Sequence, residues 1–184
     1  MNYIKITKND IANGPGVRVT LWVSGCDIHC KGCHNPQTWD FNTGKLFNTV
    51  VKQELFEALK QPHIQGVTFS GGHPLAQENR NEILGLIMEI HLLFPEKDIW
   101  CYTGYTFEEI CKQFCNERFE AEFDDNTIKY TNWEWLGYID VLVDGPYIEE
   151  QRDITLPFRG STNQRLIDVK ETLKQGQIIQ YKIN

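Results

Sequence analysis

Three cysteines, Cys26, Cys30 and Cys33, stand in a C-x3-C-x2-C spacing between Gly25 and Asn35. Two histidines, His29 and His34, and two glycines, Gly25 and Gly32, share the stretch. Thiolates are soft donors that suit zinc and iron–sulfur clusters. Four cysteines normally close a [4Fe–4S] cluster, and this spacing supplies three. A cubane held by three thiolates keeps one iron open to a small molecule. The short gaps fit one loop wrapping three corners, with Gly25 and Gly32 letting the backbone approach the sulfides. Spacing alone leaves two other readings open. One is a structural Cys3His zinc site with His29 or His34 as fourth ligand. The other is a set of buried, unligated thiols.

The elements around this loop must position it. The apolar run at 17–23 is β-branched and aromatic and reads as a strand leading into the cysteines. Asn48-Thr49 can cap a helix over 50–59, and Val51, Leu55, Ala58 and Leu59 form its apolar stripe. A strand at 66–70 runs into Gly71-Gly72-His73-Pro74. A helix from about 79 to 93 carries Ile83, Leu86, Ile87 and Ile90 on one face and stops before Pro95. A strand at 98–102 ends in Thr103-Gly104, and Thr106 with Glu109 forms a capping box for a helix to about Arg118. Residues 119–135 are polar and acidic and have no assignable pattern. A strand at 138–143 ends in Asp144-Gly145-Pro146, and two short extended pieces follow at 166–169 and 177–183.

Strand and helix alternate, which predicts an α/β fold with a mostly parallel sheet. At about 30 residues per βα step, the 184 residues allow roughly six steps. A closed eight-fold barrel takes about 250 residues. A partial, open (βα) barrel is therefore expected, with a doubly wound sheet as the rival. The cysteine loop, Gly-Gly-His-Pro, Thr-Gly and Asp-Gly-Pro each follow a strand, so all four should gather at one ligand-binding face.

Net charge is −7, which argues against broad nucleic-acid or anionic-membrane partners. No stretch reaches the roughly 20 apolar residues of a spanning helix. The first residues lack a signal-peptide pattern, so a cytoplasmic location with reduced thiols is expected.

The motifs now carry a resemblance. They are Asn13-Gly14-Pro15-Gly16-Val17-Arg18, the cysteine stretch continuing through Pro36-Gln37-Thr38-Trp39, Ser70-Gly71-Gly72-His73-Pro74-Leu75, Phe94 to Trp100, Asp140 to Tyr147, and Phe158 to Arg165. In this order they resemble the radical S-adenosylmethionine superfamily. They are most similar to one branch, the activating proteins of anaerobic ribonucleoside-triphosphate reductase. Only 108–136 looks unlike that family. The resemblance implies a single radical S-adenosylmethionine domain over 1–184, with 119–135 as an insertion or irregular segment. It implies that Cys26, Cys30 and Cys33 hold a [4Fe–4S] cluster whose open iron chelates S-adenosylmethionine. Reductive cleavage would then yield a 5′-deoxyadenosyl radical that abstracts hydrogen from a glycine on the reductase's large subunit. The implied partners are that subunit and a reduced electron donor. No side-chain acid or base is nominated.

Gly71 and Gly72 resemble the family's methionine-binding turn; an ordinary turn is the plain alternative. At 73 this chain has His where Asp or Glu is commoner. Neutral imidazole offers a single acceptor, so His73 is expected either to bind in its neutral form or to face away. Gly32 and His34 flank the third cysteine, and His34 is a candidate ring against the adenine. Thr103 could reach a ribose, and Arg159 and Arg165 could meet the ligand or the partner; Arg18 is a weaker candidate. Cys101, Cys111 and Cys115 read as core thiols, and Trp133 and Trp135 as core or partner contacts. Two alternatives stand beside the reductase activase. One is an activase of another glycyl-radical enzyme, and the other is a zinc-stabilised binding module without catalysis.

Overall fold

The computed structural model describes residues 1–114, 118–123, 126–131 and 135–183. Strand β1, Asn2–Asp10, pairs antiparallel with β2, Arg18–Val23. On its other side β2 runs parallel to β4, Gly66–Gly71. Next come β5, Asp98–Tyr102, and β8, Val141–Asp144, both parallel to their neighbours. Strand β9, Arg165–Asp168, is antiparallel to β8. Two-residue β3, Lys45–Leu46, pairs only with Asn2 and Tyr3 of β1. The order is β3-β1-β2-β4-β5-β8-β9, an open seven-stranded sheet.

The parallel strands β2, β4, β5 and β8 succeed one another without reversal. A doubly wound sheet needs a reversal to create its switch point, so that rival is ruled out. Right-handed crossovers that all step the same way place their helices on one face. Helix α1, Thr49–Leu59, starts at Asn48, whose Oδ1 accepts from the Val51 amide at 3.1 Å. Helix α2, Gln77–Leu93, buries the whole expected stripe of Ile83, Leu86, Ile87 and Ile90. Each such side chain contributes about 1.5–3 kcal/mol when fully buried. Helix α3, Phe107–Phe114, begins in the expected capping box. There the Thr106 amide donates to Glu109 Oε2 at 2.8 Å, and the Glu109 amide donates to Thr106 Oγ1 at 3.2 Å.

The fold departs from expectation in four places. Strand β1 lacks a predicted counterpart. Its side chains are mostly half-buried, so it shows no apolar alternation. The helix expected to reach about 118 gives way to strand β6, Arg118–Phe123, which forms a hairpin with β7, Asn126–Thr131, inside the unassigned segment. The strand expected from 138 starts at Val141, because residues 136–138 form a 3-10 turn. Helix α4, Val169–Gln175, occupies a stretch with only Val169 and Thr172 buried. Cys115 and Trp133 lie outside the described residues.

Arg18 is the clearest correction to the sequence reading. It is fully buried within β2 and faces no ligand. Its Nε donates to Thr68 Oγ1 at 2.8 Å, and its guanidinium donates to the Val67 carbonyl at 2.8 Å and the Pro15 carbonyl at 3.3 Å. It also pairs with Asp98 and lies over the Trp100 ring, 5.3 Å from its centre. Thr68 Oγ1 in turn donates to the Asn13 carbonyl at 2.9 Å. Arg18 thus anchors Asn13-Gly14-Pro15-Gly16 to the parallel strands.

Candidate functional site

The four loops that leave the C-terminal ends of β2, β4, β5 and β8 meet around one cleft of about 570 Å³. Cys26, Cys30, Cys33 and His34 line it from the first loop, and Gly71, Gly72 and His73 from the second. Thr103 and Gly104 come from the third, Gly145 and Tyr147 from the fourth, and Ala12 and Asn13 from the turn that Arg18 anchors.

The cysteine loop is held by backbone bonds before any ligand enters. Gly25 N–H donates to the Thr38 carbonyl at 2.7 Å and Cys26 N–H to the Trp39 carbonyl at 3.0 Å. The downstream Pro36-Gln37-Thr38-Trp39 turn therefore braces the first cysteine. Asn35 N–H donates to Cys33 Sγ at 3.3 Å. Burial pushes the Cys26 thiol up, against amide donation from His29 and Ile28. Burial also raises Cys30, against amide donation from Tyr147. These amides are the donors that a thiolate bound to a cationic metal group would use, so the residues present fit a cluster. Among the described residues no three His, Cys, Asp or Glu side chains converge as they would around a single metal ion. All three thiols line the cleft.

The two histidines of the loop differ. His29 adopts φ 50°, stacks on Trp39 with ring centres 4.7 Å apart, and is not among the residues that line the cleft. His34 lines the cleft with the Tyr147 ring 5.1 Å away. Gly32 does not line the cleft. At φ 73° it lies against Glu149, whose carboxyl carbon would be 2.8 Å from an added Cβ.

Gly72 abuts the cysteine loop itself, and Gly71 pairs with Val23 at the end of β2. Gly72 N–H donates to the Val23 carbonyl at 2.9 Å, and His73 N–H to the Gly25 carbonyl at 2.7 Å. A Cβ on Gly72 would overlap the Gly25 carbonyl. Gly72→Ala is expected to lower stability by about 1–3 kcal/mol, the usual cost of overpacking. Thermal unfolding should show it as a fall of about 2–4 °C per kcal/mol.

Both ring nitrogens of His73 are engaged. The ring is buried, with Nδ1 2.5 Å from Asp27 Oδ1 and Nε2 2.8 Å from Thr103 Oγ1. Tyr105 O–H donates to the other Asp27 oxygen at 2.5 Å. Burial opposes the Asp27 charge, but the hydrogen bonds from His73 and Tyr105 outweigh it and hold the carboxyl at about 2. Burial, followed by the Asp27 bond and charge, pushes the Tyr105 phenol up, so it stays a donor.

The remaining candidates sort by contact. Thr103 is tied to His73 and accepts from Tyr105 N–H at 3.1 Å. Arg159 lines the cleft and donates to the Gln164 carbonyl at 3.1 Å. Arg165 clamps β9 to β8 and α3 through paired bonds to Asp144 and Glu108, and is absorbed there. Cys101 is buried, with its thiol pushed up by that burial. Asn79 escaped the sequence reading. It is buried on α2, and its Nδ2 donates to the Ser24 carbonyl at 2.8 Å and the His73 carbonyl at 3.1 Å. Its one signal was an amide side chain in the first turn of an amphipathic helix.

No helix among the described residues is long and apolar enough to cross a membrane. A family model described as a 4Fe-4S single cluster domain matches residues 12–167. Three similar proteins each carry the name anaerobic ribonucleoside-triphosphate reductase-activating protein. That of Enterobacteria phage T4 is 43% identical over 90% of this chain and 93% of its own. That of Haemophilus influenzae is 41% identical over 89% and 96%, and that of Escherichia coli K12 is 37% identical over 89% and 96%. With the thiols, the glycine turn and this breadth of identity in agreement, the chain belongs to the family of anaerobic ribonucleoside-triphosphate reductase-activating proteins.

Proposed function

We propose that this chain is a radical S-adenosylmethionine enzyme that activates an anaerobic ribonucleoside-triphosphate reductase. Cys26, Cys30 and Cys33 hold a [4Fe–4S] cluster in this reading. The observation that carries it is the meeting of three thiols and the Gly71-Gly72 turn on one cleft of about 570 Å³, a size suited to a small molecule. When bound, the cluster and S-adenosylmethionine supply a one-electron cleavage whose 5′-deoxyadenosyl radical takes hydrogen from a glycine of the large subunit.

The chain's own residues bind, orient and shield. Backbone amides of Ile28, His29, Asn35 and Tyr147 reach the sulfurs and would steady their negative charge. Gly71 and Gly72 leave bare backbone for the ligand's methionine end. His34 and Tyr147 form an aromatic wall for its purine end. Hydrogen moves as an atom, so no general acid or base is assigned. The open sheet is read as a partial (βα) barrel, and 1–184 as one domain working in the cytoplasm with a reduced electron donor.

The test is anaerobic incubation of the reconstituted protein with S-adenosylmethionine, a reductant and the candidate reductase. A glycine-centred radical is expected by electron paramagnetic resonance, and omission of S-adenosylmethionine should remove it. Colourless protein carrying one zinc would overturn the reading. Radical formation only on a different glycyl-radical enzyme would move the target.

A further inference from the structure

We propose that Asp27 and His73 form a latch that positions the cysteine loop against the Gly71-Gly72 turn; this rests on the reading of Cys26, Cys30 and Cys33 as cluster ligands. Asp27 is the one acidic side chain between the first and second cysteines. It reaches across to His73, which follows β4, and to Tyr105, which follows β5. His73 continues the chain to Thr103. Four side chains thereby tie together three of the loops that form the cleft.

The His73 ring has no free nitrogen to offer a ligand. Both nitrogens are spent on protein partners, and the ring edge packs on Tyr105 with centres 4.4 Å apart. Nδ1–H donates to Asp27, so in the neutral ring Nε2 accepts from the Thr103 hydroxyl. His73 acts through position.

The placement of the latch gives it its purpose. Cys26 lies between two anchors. On one side Gly25 is held by the His73 amide at its carbonyl, with Asn79 holding the Ser24 carbonyl beside it. On the other side Asp27 is held by the His73 ring. A single residue thus grips the chain on both sides of the first cysteine. Without the Asp27–His73 bond, the backbone bonds at Gly25 and Cys26 and the Tyr105 bond to Asp27 remain, and the stretch toward Cys30 is held less firmly. Side chains that orient metal ligands in this indirect way typically govern affinity by about 10–100-fold.

The experiment uses reconstituted full-length protein and the rate at which iron passes to a chelator. Asp27→Ala and His73→Ala are each expected to speed iron loss about tenfold. The double variant should speed iron loss by less than the product of the two single effects, because the Asp27–His73 bond is lost in all three. The exchange variant, Asp27→His with His73→Asp, should recover much of the retention, which a general packing defect would not allow. In the apoprotein, a low-field imidazole N–H resonance should be present and should vanish in Asp27→Ala. Iron release at the wild-type rate from both single variants would overturn the latch, as would additive single effects. Wild-type protein that takes up no iron would overturn the cluster reading, and the latch's role with it.

Discussion

Cys30→Ala is expected to abolish iron uptake while leaving the fold intact. Cys30 is half-buried at the edge of the cleft, and the loop carrying it is braced at Gly25 and Cys26 by bonds from residues 38 and 39. Its own side chain supports little of that bracing. The stability change should stay within about 1 kcal/mol, as for sites without packing or network roles. The chemical effect should be total. In the proposed cluster three thiolates are already one fewer than usual, and two could not hold the fourth corner open while closing the other three. Iron should fall from about four per chain to background, the brown colour should be lost, and no glycine radical should form. Burial favours the protonated thiol at Cys26 and Cys30, and ligation requires the thiolate, so assembly releases protons. Cluster uptake in the wild-type protein should therefore improve as pH rises above neutrality.

Arg18→Met is expected to have the opposite profile, with the fold destabilised and no cleft-lining side chain replaced. Removing one partner from a buried, hydrogen-bonded charge pair costs about 3–5 kcal/mol. Arg18 is fully buried, and its loss would leave the Val67 and Pro15 carbonyls, Thr68 Oγ1 and Asp98 short of a donor. For a chain of this length the melting temperature should fall by about 10 °C or more, read by circular dichroism on the apoprotein. Arg18→Lys should recover only part of it, because an ammonium cannot span a fork of partners on three segments. A melting point unchanged within a degree would show that Asp98 and Thr68 find other donors.

These two profiles mark what the sequence made legible. The cysteine loop and the glycine turn were readable because their chemistry is written in residue type and spacing. The parallel strands were readable because β2, β4, β5 and β8 are almost wholly buried, which forces continuous apolar runs. Strand β1 was not, because Tyr3, Ile4 and Ile6 are mixed with Lys, Asn and Thr at mostly half-buried or exposed positions without a regular apolar alternation. Helix α4 was hidden by its two buried residues, although its Asp168 cap accepts from Glu171 N–H at 3.0 Å. The roles of Arg18, His73 and Asn79 depend chiefly on partners 30 to 80 residues away, beyond any local pattern. Arg18 reads as a polar residue at a strand start, and only the packed sheet reveals it as a strut.

The short reach of β3 has a consequence for how molecules of this chain meet one another. It covers β1 only at Asn2 and Tyr3, so the rest of that edge has no strand partner. An uncovered edge is a template for a foreign strand, and proteins that stay soluble roughen it. Here the register slips between Tyr3 and Lys5 and again between Thr7 and Asp10. Lys5 is exposed over Trp22, and exposed Lys8 is paired with Glu54 of α1. A second copy docking edge to edge would have to bury those ammonium groups beside its own. The open sheet, which leaves room for a ligand on its inner side, thus carries its own guard against self-templated aggregation on its outer margin.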